Sequence, residues 1–99
     1  MHVIQNRLLK RCHDGSDIRE ILLSGCPDGS FITHLRGFGV VTVIDSPETP
    51  FFTFKRTGRY SVKGMIGDRI IHAQFKKGDE TAFIDDFSLI LHDFQSASK

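Results

Sequence analysis

The chain has 99 residues, 39% hydrophobic and 25% charged, with nine Phe and no Trp, which is enough apolar material for one core and too short for a second domain. Thirteen basic against twelve acidic residues leave a net charge of +1, which argues against a binder of nucleic acid or anionic membrane that works by bulk charge alone. No stretch is apolar over the length a bilayer demands, and Arg7, Lys10, Arg11, His13 and Asp14 leave no room for an export signal, so no membrane and a cytoplasmic setting are expected.

In chain order, residues 3–11 read as a strand whose charges leave only a thin apolar side, which suits a sheet edge. Cys12 and Cys26 read as two reduced thiols. Asp17 followed by Glu20 has the spacing of a capping box. Ile18, Ile21 and Leu22 then fall on one helical face, and Gly25 and Pro27 supply a stop. A short helix near residues 17–24 is expected, with a strand over Arg19–Leu23 as the competing reading. Cys26-Pro27-Asp28-Gly29 is a turn. Phe31–Ile44 reads as one long strand or two short ones. Gly37 and Gly39 share one of its faces, where a ligand or another backbone approaches or the sheet bends. The prolines of Asp45–Pro50 remove ladder donors and make that stretch a loop.

From Phe51 onward, turn signals at Arg56-Thr57-Gly58, Gly67-Asp68 and Gly78-Asp79 cut the chain into alternating runs, the pattern of an antiparallel meander. If Ile66 pairs with Arg69, then Gly64 faces Ile71, Val62 faces Ala73 and Tyr60 faces Phe75, which makes one apolar face. The other face pairs Lys63 with His72. A three-residue loop with Gly58 left-handed sets Phe54 against Tyr60. Beyond the third turn a further strand is expected, and its alternation survives only with a β-bulge at Asp85-Asp86. The expected core is Phe52, Phe54, Tyr60, Val62, Ile66, Ile71, Ala73, Phe75, Ala82, Ile84, Phe87, Leu89 and Leu91.

The fold class is therefore mainly β, α+β at the margin: an antiparallel meander forming a curved sheet or small barrel, with one short helix. Residues 1–94 form a single domain, and 95–99 form a frayed tail.

Function is less legible. The leading expectation is a non-catalytic binding or regulatory module for a small apolar molecule or a protein partner. Its ligand would contact Phe52, Phe54, Tyr60 and Phe75 if the sheet curls around a cavity. A second class is a small enzyme: Lys63, His72 and Asp85 fall in one cross-strand row, and a carboxylate beside an imidazole is the arrangement of a general base. A third is single-stranded nucleic-acid binding through Lys55, Arg59 and Lys63, on a face that also carries Phe51, Met65 and Phe83. His2, His13, His34, His72 and His92 have no zinc spacing, and no phosphate loop or nucleophile elbow is present, so no metal and no cofactor are expected. Met65, Ile70, Phe83 and Ile90 make the outer face too apolar to be wholly exposed, so a cover is expected: the helix, the N-terminal strand or a second subunit, the last giving a homodimer or higher homo-oligomer.

Two partial likenesses complete the reading. Thr81-Ala82-Phe83-Ile84-Asp85-Asp86-Phe87-Ser88-Leu89 resembles the closing strand of carbohydrate-binding jelly-roll modules. Asp14-Gly15-Ser16-Asp17-Ile18-Arg19-Glu20-Ile21-Leu22, with Ile71-His72-Ala73, resembles the prokaryotic and plant PPC domain, whose closing Gly-His-Leu element has no counterpart here. Neither likeness brings a site residue with it.

Overall fold

The computed structural model describes residues 1–44, 47–48 and 50–97, the last three by their backbone alone. The chain is mainly β. Six strands, β1 (Val3–Arg11), β2 (Ser16–Leu23), β3 (Val40–Ile44), β4 (Phe51–Arg56), β5 (Tyr60–Met65) and β6 (Ile70–Lys76), form one antiparallel sheet in the order β1-β2-β6-β5-β4-β3. A short helix, α1 (Gly29–Leu35), lies between β2 and β3, and a long one, α2 (Glu80–Ala97), ends the chain. The sheet does not close, so the small-barrel expectation gives way to an open sheet with β1 and β3 at its edges.

The meander follows from its turns. Gly67 has φ 91° and carries the β5–β6 connection, giving the pairs expected from sequence: Tyr60 with Phe75, Val62 with Ala73, Lys63 with His72 and Gly64 with Ile71. Gly58, at φ 78°, is the left-handed centre of a three-residue loop, but the loop is Thr57–Arg59. Phe54 therefore faces Val62 and Arg56 faces Tyr60, a two-residue shift from the expected register that leaves every side chain on its intended face.

Three expected elements are corrected. The helix near 17–24 is strand β2, inserted between β1 and β6. A two-turn helix there would leave two sheet edges without partners, and the local capping signal loses to that ladder. The first part of Phe31–Ile44 is α1: Asp28 caps it by accepting a 2.9 Å hydrogen bond from Phe31 N, and Phe31, Ile32 and Leu35 pack inward. The strand beyond Gly78 is α2. Phe83, Phe87, Ile90, Leu91 and Phe94 recur at helical spacing, so the bulge needed at Asp85-Asp86 was a helical period forced into an alternating one. The likeness of Thr81–Leu89 to a jelly-roll strand falls with it.

Both helices lie on one side of the sheet. The core joins Ile21, Leu23, Phe52, Phe54, Val62, Ile71, Ala73 and Phe75 from the strands to Phe31, Leu35, Phe83, Phe87, Ile90 and Leu91 from the helices. Phe83 stacks between Phe75 and Phe87, with ring centroids 5.1 and 5.4 Å away. Of the expected core, Ala82 and Leu89 are exposed on the outer side of α2, and Ile66 and Ile84 are half-buried. His34 Nε2 lies 2.9 Å from the Ile90 carbonyl oxygen and joins α1 to α2. Helix α2 runs through Ala97, so the backbone is helical at the start of the segment assigned to a tail, while Ser98 and Lys99 lie outside the described residues. The same holds for Asp45, Ser46 and Thr49 of the expected loop. Among the described residues, no helix is long and apolar enough to cross a membrane.

Candidate functional site

With both helices on one side, the other face of the sheet is open. Alternation puts Ile18, Glu20 and Leu22 of β2, His72 and Gln74 of β6, Lys63 and Met65 of β5, and Phe51 and Thr53 of β4 on it. One row of directly opposed residues crosses all six strands: Arg7, Glu20, His72, Lys63, Thr53 and Thr42. Arg7 Nη2 lies 2.9 Å from Glu20 Oε1, and His72 Nε2 lies 3.9 Å from Glu20 Oε2. Lys63 has no ion pair among the described residues, and its Nζ stands 4.8 Å from the centroid of the Phe51 ring.

Next to this row the face turns apolar. Phe51, Met65 and Ile70, with Gly64 between them, wall a shallow groove of about 460 Å³ whose polar rim is Lys63, His72 and Asp68. Met65 and Ile70 keep 44% and 39% of their surface exposed, and Ile44, paired with Phe51 on β3, keeps 46%. Asp68 is occupied locally, since its Oδ1 accepts from Ile70 N at 3.2 Å. The groove therefore has an apolar floor and two basic side chains at one end.

The acid/base pair expected from sequence does not form. His72 and Lys63 are neighbours, but Asp85 sits on α2, against the opposite face of the sheet, because residues 80–97 are helical. Glu20 is the carboxylate beside His72: its capping-box spacing assigns it to a helix, whereas the competing strand over Arg19–Leu23 puts it in the ladder with β6.

Of the other named residues, Phe52, Phe54, Tyr60 and Phe75 are buried in the core beneath the helices, where Phe83 and Phe87 pack against Tyr60 in the space a curled sheet would have left for a ligand. Lys55 is exposed on the open face with Lys63, whereas Arg59 lies across the β4–β5 loop with its Nη1 3.6 Å from Asp86 Oδ1. Arg59 and Lys55 nevertheless line one shallow cleft beside the β4–β5 loop, and Lys63 lies outside that lining. Phe83 and Ile90, expected outside with Met65 and Ile70, are inside the core.

A second polar cluster was missed. Asp86 of α2 accepts from Arg56 Nη1 at 2.8 and 2.7 Å and from the Tyr60 hydroxyl at 2.6 Å. Burial, then the hydrogen bond to Asp86 and its charge, push the Tyr60 phenol well above its ordinary pKa of 10.0. A phenol held protonated and already committed to a carboxylate is a clamp between helix and sheet, and it offers no free base. The available signal was the chain's one tyrosine, placed inside the core and thus in need of an acceptor for its hydroxyl.

Comparison with family models, curated proteins and solved structures returns no match to this chain.

Proposed function

We propose that this protein is a non-catalytic binding module and that its ligand surface is the open face of the sheet, seated at the Phe51, Met65 and Ile70 groove. The supporting observation is the asymmetry of that groove. Its volume, about 460 Å³, falls in the range of small-molecule sites, its floor is apolar, and the Lys63 ammonium stands beside the His72 imidazole on a rim that also carries Asp68. The complementary ligand has an aliphatic or aromatic body and an anionic head. Burial of the body supplies affinity, and Lys63, free of a carboxylate among the described residues, orients the head.

Octanoate is the probe. Titrated into isotope-labelled protein, it should shift the amide signals of Phe51, Met65, Ile70 and His72 saturably, with octylamine binding more weakly. Lys63→Glu should weaken octanoate by roughly fivefold or more. Shifts that do not saturate, or that map to α2 instead, would remove this reading.

A second reading, single-stranded nucleic acid, is favoured by the placement of Lys63 over the Phe51 ring beside exposed Lys55. It requires affinity for a short oligonucleotide that falls steeply with added salt, and a flat response excludes it.

A further inference from the structure

We infer that the free edge of β3 pairs antiparallel with β3 of a second copy of this chain, about a two-fold axis through Thr42. No β3 residue lines the Phe51, Met65 and Ile70 groove, so the pairing does not depend on a ligand there.

β3 ends the strand order and, among the described residues, pairs as a strand only with β4. Its five residues, Val-Val-Thr-Val-Ile, are all β-branched and carry no charge, proline or glycine. These are the devices by which sheets protect an edge from a second chain, and the opposite edge has them. β1 carries Arg7, Lys10 and Arg11, and its pairing slips at Val3/Gln5 and again at Leu8/Lys10. One edge is guarded and the other is open.

The sequence of β3 is also self-complementary. Antiparallel pairing about Thr42 opposes Thr42 to its own copy, Val41 to Val43 and Val40 to Ile44. Both faces are matched: Val41 and Val43 already pack against the core, while Val40, Thr42 and Ile44 are exposed on the open face. Val40 and Ile44, 62% and 46% exposed in one copy, would cover each other across the seam. A closed two-fold results, the same edge serving both partners.

Charge permits the arrangement. No ionisable side chain stands on either β3, and Lys55, which faces Val40 from β4, lies at opposite ends of the seam in the two copies, so like charges do not meet. The rows continue across the axis, Lys63-Thr53-Thr42 meeting Thr42-Thr53-Lys63 of the second copy in one twelve-stranded sheet. A five-residue seam is smaller than the roughly 1,200 Å² of a standard interface, so the dimer is concentration-dependent and not obligate.

Sedimentation of a Cys12→Ser/Cys26→Ser protein across a wide concentration range tests this. A monomer–dimer equilibrium is expected, with a dissociation constant raised by roughly tenfold or more in Thr42→Lys, where two ammonium groups meet at the axis, and with the circular dichroism unchanged. Thr42→Cys in the same background should give a covalent dimer on oxidation, because directly opposed Cα atoms in such a pair lie about 4.5–5.5 Å apart, within disulfide reach. If Thr42→Lys fails to fold, the Thr42→Cys cross-link decides. A protein that stays monomeric throughout, a dimer that Thr42→Lys leaves intact, or cross-linking through Leu9→Cys on β1 in place of Thr42→Cys would overturn the assignment.

Discussion

The Tyr60 hydroxyl donates a 2.6 Å hydrogen bond to Asp86 Oδ2, fastening the start of β5 to α2. Because burial, reinforced by Asp86, raises the phenol pKa in the folded state, folding favours the protonated form. The stabilisation is fully present below the unfolded value of 10.0 and is lost as pH climbs from there through the higher folded value. Tyr60 is the chain's one tyrosine and there is no tryptophan, so the ultraviolet absorbance of tyrosinate reports this residue alone. In an alkaline titration the absorbance should rise together with the loss of helical circular dichroism. Ionisation near pH 10.0 with the fold intact would contradict the clamp.

Replacing Asp86 by Ala leaves the Arg56 guanidinium and the Tyr60 hydroxyl without their shared acceptor. Arg56 keeps only 22% of its side chain exposed, so the loss should cost about 1–3 kcal/mol, nearer the lower figure because water still reaches the pair. At this chain length each kcal/mol corresponds to about 4–8 °C in Tm. Asp85→Ala, one residue away and exposed on α2, should stay within about 0.5 kcal/mol. Equal effects in differential scanning calorimetry would count against the helix register.

Gly39 and Gly37, which sequence placed on one strand face, separate in the structure. A Cβ on Gly39 would meet the Lys55 carbonyl oxygen at 2.5 Å and Phe54 Cε1 at 2.9 Å, whereas on Gly37 the nearest atom is the His34 carbonyl oxygen at 3.4 Å. A backbone carbonyl held in a sheet cannot move aside cheaply. Gly39→Ala should therefore destabilise by about 1–3 kcal/mol, and Gly37→Ala by about 0.5 kcal/mol or less. Urea unfolding of the two variants checks the contrast, and a Gly39→Ala protein as stable as the parent would exclude the close approach.

The part of the fold legible in sequence was the part governed by local turns. Between Tyr60 and Lys76 the chain is a single hairpin, its register follows from Gly67, and the alternation of Tyr60, Val62 and Gly64 against Ile71, Ala73 and Phe75 has no competitor. The errors arose where a segment's fate depends on a distant partner. Ser16–Leu23 is amphipathic by either period, and only the vacancy beside β6, some 50 residues along the chain, makes it a strand. At Phe83–Leu91 the information was present, since a pattern that needs an inserted residue to stay alternating fits a helix without one. The candidate site inherits both corrections: Lys63 beside His72 survives because it lies within the hairpin, and Asp85 is exchanged for Glu20 because each belongs to a misassigned element.

All helical cover lies on one side, and that gives neighbouring residues separate duties. Val62 and Lys63 are adjacent in the chain, as are His72 and Ala73, yet one of each pair is sealed under α2 and the other meets solvent. Variation at Lys63 or His72 would change only the surface presented to solvent. Variation at Val62 or Ala73, a single peptide bond away, would decide whether the molecule folds, so the solvent-facing surface and foldability can be altered separately along the same strands.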